Sequence, residues 1–334
     1  MHGNCDIPAC IRAALDAALE RVSRADLRIR SQMISETYRS GGTSDLIRTD
    51  LDALAYSVVR MPATYSAICS ALNRAAESAP DFNPDSLLDI GAGPGTASWA
   101  GRQVWPSLTQ TTLVDANRAL LDFARRFSAS GAPDFQASIV EGEIPTVLGD
   151  LKGADLVVAG YSLTEIAPHA LGTVLASLWR LTKKMLVLIE PGTPDGFRRL
   201  LKYREMLIAA GGDVLAPCSH ELVCPLQRRE ESWCHFRQRL PRIRDHKIVK
   251  AGSVPFEDEK FIYLAVGKGL EYIRSGRRIL STPRVGKAAV TLRLCAPAEV
   301  EERTISRRDG RAYKSAKRYD WGDSVELDTA SVSV

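Results

Sequence analysis

The feature that most constrains this chain is a short run with glycine at every second position, Asp89-Ile90-Gly91-Ala92-Gly93-Pro94-Gly95-Thr96. Residues 87–90 before it read as a strand, and 97–104 after it open a helix. Glycine permits the tight turn this junction needs and lets a ligand approach the backbone. The start of the helix behind the loop offers unpaired N–H groups and the positive end of a dipole to an anion. A bare tight turn would also satisfy the pattern, and nucleotide and dinucleotide sites share it. The alternation that follows settles the fold class. Strands at 111–114, 138–140, 155–159 and 184–189 are interleaved with helices at 118–127, 170–180 and 197–210, and Gly211-Gly212 supplies a helix stop. Alternation of this length predicts an α/β fold with a doubly wound parallel sheet.

Ahead of the loop, residues 7–78 carry helical periodicity, with Ile11, Ala14, Leu15, Ala18 and Leu19 on one face and a break at Ser40–Ser44. Ser44 or Asp45 is placed to cap the helix after the break. Behind Gly212 the pattern changes. Residues 288–294 read as a strand, and 300–308 and 311–317 flank Asp309-Gly310, a strong hairpin signal. Three parts are expected: a helical segment over 1–80, the α/β domain over 81–212, and a small β-rich, cysteine-containing module over 213–334 whose last ten residues fray.

Two details narrow the loop. Asp115 closes the second strand, 20 residues past Gly95, where a carboxylate can hold ribose hydroxyls. The form Asp-Ile-Gly-Ala-Gly-Pro-Gly resembles the first motif of class I (Rossmann-like) methyltransferases rather than G-x-G-x-x-G. The resemblance implies an S-adenosylmethionine site drawing on Asp89, Gly91, Gly93, Gly95 and Thr96, with Asp115 on the ribose and Glu141 or Glu143 near the adenine. After the fourth strand, Gly160-Tyr161-Ser162-Leu163-Thr164-Glu165-Ile166 adds Ser162 to that set. This segment lacks the Asn/Asp-Pro-Pro-aromatic run of amino-group methylases and has no cysteine to attack a pyrimidine. Glu165 is either a base or a capping carboxylate, and Glu190 after the fifth strand reads as structural. No catalytic residue is assigned.

Of seven cysteines, three fall within 17 residues as Cys218-x5-Cys224-x9-Cys234, and Cys295 lies far downstream. An odd count in a chain with no secretion signal argues against a disulfide framework. Zinc sites commonly pair cysteines two to four residues apart, so this spacing does not favour zinc. Four thiolates also suit a [4Fe–4S] cluster, and four unrelated buried thiols remain a third reading. Cys5, Cys10 and Cys69 read as spectators. Charge is concentrated nearby: residues 274–318 hold thirteen Lys or Arg against four acids, while the whole chain carries only +4. A second basic stretch holds Arg228, Arg229, Arg237, Arg239, Arg242, Arg244, Lys247 and Lys250. Such concentration is the footprint of phosphate binding. Arg307, Arg308, Arg311, Lys314, Lys317 and Arg318 sit at the expected hairpin tip, with Tyr313 and Tyr319 placed to stack bases. A solvated charged face is the plainer alternative.

Pro217-Cys218-Ser219-His220, Cys224-Pro225-Leu226, Trp233-Cys234-His235-Phe236, Phe256-Glu257-Asp258-Glu259-Lys260-Phe261 and Arg318-Tyr319-Asp320-Trp321-Gly322-Asp323 together resemble the ribosomal small-subunit assembly family of methyltransferase-like proteins, best known from mitochondria. The resemblance runs over residues 35–323. It implies a [4Fe–4S] cluster on Cys218, Cys224, Cys234 and Cys295, stapling the last module to the scaffold, and association with the small ribosomal subunit and its rRNA. An active rRNA methyltransferase and a zinc-stapled small-molecule methyltransferase are the alternatives. No apolar run approaches the ~18–20 residues that span a membrane. The expectation is a cytoplasmic monomer, or a mitochondrial one if the chain is eukaryotic.

Overall fold

The alternating strands and helices assemble as the glycine loop and its sequel predict. The computed structural model describes residues 5–20, 22–131, 136–229, 231–242, 254–274, 276–297 and 299–326. The part of the second basic stretch at Arg244, Lys247 and Lys250, and the C-terminal residues expected to fray beyond 326, lie outside the described residues.

Four helices come first: α1 (Ala9–Leu19), α2 (Arg24–Arg39), α3 (Asp50–Val59) and α4 (Met61–Ser78). Helix α3 starts in a capping box, in which Thr49 accepts from the Asp52 N–H and Asp52 accepts from that of Thr49. A 3-10 turn, Ser44–Leu46, joins α2 to α3. Strands β1 (Ser86–Ile90), β2 (Gln110–Asp115), β3 (Gln136–Glu141), β4 (Ala154–Gly160) and β5 (Thr182–Pro191) then alternate with α5 (Thr96–Val104), α6 (Arg118–Gly131), α7 (Ile144–Val147), α8 (Leu171–Leu181) and α9 (Pro194–Ala209).

The first sheet does not stop at residue 212. It takes in β6 (Asp213–Ala216), β7 (Phe236–Pro241) and the long β8 (Phe256–Gly267), in the order β3-β2-β1-β4-β5-β8-β6. β1 to β5 run parallel, and β8 runs antiparallel between β5 and β6, with β7 paired to its first half. A boundary at 212/213 therefore cuts through this sheet. Successive residues of each strand alternate between its two faces. Leu87, Leu156, Val187 and Ala265 pack under α1 to α6, while Leu88, Val157, Leu186 and Leu264 pack under α8 and α9. Each fully buried aliphatic side chain contributes about 1.5–3 kcal/mol.

The second sheet is antiparallel and small: β9 (Arg277–Ile279), β10 (Arg284–Val285), β11 (Ala289–Cys295), β12 (Val300–Ser306) and β13 (Ser324–Val325), in the order β10-β11-β9-β13 with β12 on β11. The expected hairpin about Asp309-Gly310 does not form. β12 pairs with β11 instead, from Cys295 opposite Val300 to Ala289 opposite Ser306. Residues 311–316 are a short helix, α10 (Arg311–Ala316). The Asp309 carboxylate accepts from the Ser306 N–H at 2.6 Å and from its hydroxyl at 3.0 Å, so the residue read as a hairpin turn closes a helical cap. Ala316 is buried against the small core.

Candidate functional site

β1 ends at Ile90, and the chain turns through Gly91, Gly93 and Gly95, all at positive φ. A Cβ on Gly91 would stand 2.1 Å from the Cβ of Ser162, so only glycine fits between that serine and the loop. The Ser162 hydroxyl donates to the Ile90 carbonyl at 2.8 Å. Asp115, closing β2, accepts from the Gly93 N–H and the Asn117 N–H, each at 2.7 Å. Burial raises the Asp115 pKa above the usual carboxylate range, and those N–H bonds oppose the rise. Asp89 is buried behind the loop and accepts from the Ser98 N–H and hydroxyl at 2.8 and 2.7 Å. Burial pushes its pKa up to about 7.

The ends of the parallel strands frame a cavity of about 360 Å³. Its lining follows the strand order: Glu143 and Ile144 beyond β3, Asp115 and Ala116 beyond β2, Gly91 and Gly93 beyond β1, then Tyr161, Ser162 and Glu165 beyond β4. A cleft outside the carboxyl ends of the strands is where open α/β sheets bind ligands. Of the residues expected at the cofactor, Gly91, Gly93, Asp115 and Ser162 line this cavity. Asp89, Gly95, Thr96 and Glu141 do not. Asp89 and Thr96 are buried in the strand–helix junction, and of the two acids expected near the adenine only Glu143 lines the cavity.

The sequence reading missed the cavity's other wall. Tyr38, Tyr56, Arg60 and Thr64 line it from α2, α3 and the start of α4, and so does Ser44 from the 3-10 turn. Glu165 accepts from the Ser44 hydroxyl at 2.9 Å and its N–H at 3.1 Å, so it caps that turn. The Asn117 amide donates to the Ser44 and Ile47 carbonyls at 3.0 and 2.9 Å. The helical segment is thereby tied onto the cavity. The apolar periodicity of its helices gave no hint of this, since the lining residues are polar ones at helix ends.

The four second-half cysteines come together. Cys218, Cys224 and Cys234 sit on the connections between β6 and β7, Cys295 ends β11 of the other sheet, and all four line one small cavity of about 40 Å³ with Arg204, Leu226 and Tyr263. Burial raises the Cys224 and Cys234 thiols and pushes Cys295 up to about 12, with the other thiols adding to each rise. Among the described residues, no three His, Cys, Asp or Glu side chains are gathered as ligands of one metal ion. The junction of the sheets also carries hydrogen bonds from buried arginines. Arg278, 3% exposed, donates to the Pro217 carbonyl at 2.8 Å and the Gly322 carbonyl at 2.9 Å. Arg74 of α4 donates to the same Gly322 carbonyl. Cys5 and Cys69 lie in the N-terminal core, both facing the Asn73 amide.

Arg307, Arg308, Arg311, Lys314, Lys317 and Arg318 are all exposed at the edge of the second sheet, and none makes an ion pair among the described residues. Tyr313 and Tyr319 are half-buried against the small core, with the Lys317 ammonium 5.8 Å from the Tyr313 ring centroid. The other basic stretch is partly neutralised: Arg239 pairs with Asp258 at 2.7 Å and Arg242 with Glu257 at 3.4 Å, across β7 and β8. Arg242 is half-buried against Glu257, whereas Arg239 stays exposed while paired to Asp258.

The family model described as mitochondrial small ribosomal subunit Rsm22 matches residues 50–326. The chain belongs to the Rsm22 family. It is similar to the human "Ribosome assembly protein METTL17, mitochondrial", with 29% identity over 86% of this chain and 65% of that protein. It is also similar to the fission-yeast "Rsm22-cox11 tandem protein 2, mitochondrial", with 24% identity over 91% of this chain and 47% of that protein. The chain thus spans about two thirds of one relative and about half of the other. Among solved structures it resembles a magnesium protoporphyrin IX methyltransferase of Synechocystis (TM-score 0.41, 11% identity, 75% of this chain and 99% of that one). It also resembles a precorrin-6y C5,15-methyltransferase of Geobacter metallireducens (TM-score 0.38, 18% identity, 59% and 86%). The Rossmann-like fold rests on the chain's own sheet, in which β1 to β5 run parallel in the order β3-β2-β1-β4-β5. No helix among the described residues is long and apolar enough to cross a membrane.

Proposed function

We propose that this Rsm22-family chain is an assembly factor of the small ribosomal subunit, built on an S-adenosylmethionine-binding scaffold and acting by binding rRNA. The observation that carries this reading is the joining, at one four-thiol cavity, of a methyltransferase-type pocket to a module with exposed, unpaired cations. Asp115, Glu143 and the Gly91 and Gly93 backbone line one cavity, which supports a cofactor bound with its ribose at Asp115 and its adenine near Glu143. Arg307, Arg308, Arg311, Lys314, Lys317 and Arg318 supply phosphate contacts. The protein works where the small subunit is assembled, in the cytoplasm of a bacterium or the mitochondrion of a eukaryote.

The donor set suits a [4Fe–4S] cluster held by Cys218, Cys224, Cys234 and Cys295. Four thiolates in one apolar cavity repel one another and favour a cationic guest. A single zinc ion with Zn–S near 2.3 Å would need the sulfurs roughly 4 Å from one another. A cluster spreads its ligands over several irons. When bound, it would cross-link the two sheets.

An active rRNA methyltransferase is the second reading, and Glu165 bears on it. The one carboxylate that the loop after β4 offers is engaged by Ser44, which supports a scaffold role over proton transfer. Incubation with small-subunit particles and methyl-labelled S-adenosylmethionine separates the two. Salt-sensitive binding of particles without label in the RNA is expected. Label that appears in the RNA and vanishes in Asp115→Ala would replace this reading with the enzymatic one.

A further inference from the structure

The cofactor cavity has a second end. Asp115 and Glu143 lie on its β2–β3 flank, whereas Tyr161 follows β4 and Pro191 closes β5. On this second flank Arg60, between α3 and α4, faces the cavity. Its Nη2 is 3.5 Å from the Glu259 carboxylate on β8, the neighbour of β5. That single loose contact leaves 26% of the Arg60 side chain open, and the open part lines the cavity. The 18-residue helix α4 starts at the same point and shows Thr64 to the cavity, so the positive end of its dipole adds to the guanidinium. Tyr38, Tyr56 and Tyr161 complete the wall. Burial keeps their phenols neutral, with Tyr56 pushed up to about 12. Tyr161 is held at φ +62, a conformation rare for a side chain of its size and one that tends to persist at binding sites.

One cavity thus offers hydroxyl acceptors on its β2–β3 flank and a partly exposed cation on the other. S-adenosylmethionine has the matching order: ribose, sulfonium, then an α-amino acid head with its carboxylate. We propose that Arg60 seats the carboxylate of the cofactor's amino acid head, so that the N-terminal helices complete the cofactor site instead of only covering the sheet. This rests on the S-adenosylmethionine reading above. Glu259 positions the guanidinium from the β8 side, and Tyr38 and Tyr56 line the same wall.

A ligand pair that differs only in that carboxylate tests the assignment: S-adenosylmethionine and its decarboxylated form, titrated calorimetrically into the full chain. The wild type should prefer S-adenosylmethionine by about ten- to a hundredfold, the worth of a charge-assisted hydrogen-bonded pair. In Arg60→Met the preference should shrink to about twofold, with affinity for the decarboxylated ligand nearly unchanged, which also shows that the variant is folded. Arg60→Lys keeps the charge beside Glu259 but not the planar fork, and should lose several-fold on S-adenosylmethionine alone. A preference that persists in Arg60→Met, or equal weakening of both ligands, overturns the assignment. If Arg60→Met does not fold, the absence of a selective loss in Arg60→Lys overturns it. Failure of the wild type to bind either ligand instead removes the cofactor reading itself, and the two failures are told apart by that first titration.

Discussion

Asp89 and Asp115 both lie near strand ends beside the glycine loop, yet the fold uses them differently. Asp89 faces inward and fixes the start of α5 through Ser98, whereas Asp115 faces the cavity and braces Gly93 and Asn117. A carboxyl whose folded pKa is raised binds its proton more tightly folded than unfolded. Its stabilising effect is complete below the unfolded value of 3.8 and is lost as pH rises through about 7. Asp89→Asn removes that titration. Relative to this variant, wild-type stability should therefore fall between about pH 4 and pH 7, by on the order of 4 kcal/mol in chemical denaturation. A flat difference across that window would show that Asp89 ionises freely in the fold. Asp115→Ala should weaken S-adenosylmethionine binding by at least about tenfold in calorimetry, since the ribose contact and the loop brace go together. At this scale the sequence was partly informative. The loop and Asp115 were legible because their spacing is tied to a strand and a helix start. Arg60, Tyr38 and Tyr56 were not, because what brings them to the cavity is the packing of α2 to α4 over the sheet.

At the level of elements, local pattern succeeded where periodicity was clean and failed where charge interrupted it. β1, β4 and β5 are nearly continuous apolar runs, as strands buried on both faces must be. β8 escaped because its first half, Phe256-Glu257-Asp258-Glu259-Lys260, is charged. Those acids pair with the arginines of β7, so the strand is held by cross-strand ion pairs and main-chain bonds there and by burial only further on. Leu264→Ala, in its fully buried half, should cost about 2–5 kcal/mol by denaturant titration. The α10 segment was misread because Asp-Gly signals a hairpin only when strands flank it, and Asp309 instead caps through Ser306. The cations of that turn and α10 nonetheless stay together at the surface. Substituting Arg307 and Arg308 by serine should lower the slope of log affinity for small-subunit rRNA against log salt by about 1.5–2. An unchanged slope would place the RNA contact elsewhere.

For the whole molecule, two sheets meet at four thiols and a buried arginine pair. The three nearby cysteines were readable as a set, but only the fold brings Cys295 to them, from the end of β11. Anaerobically purified protein should carry about four iron and four sulfide per chain, and Cys295→Ser should lose iron and loosen the second sheet in proteolysis while the first sheet stays protected. Zinc without sulfide would show that the thiols hold no iron–sulfur cluster. Pocket, thiol junction and cationic module are proposed to form one ribosome-binding unit. The most direct test is co-sedimentation of the anaerobically purified full chain with small-subunit particles at rising salt. Stoichiometric binding is expected at low ionic strength, released steeply as salt increases and weakened by loss of Arg307 and Arg308. Failure to co-sediment at any salt concentration would contradict it.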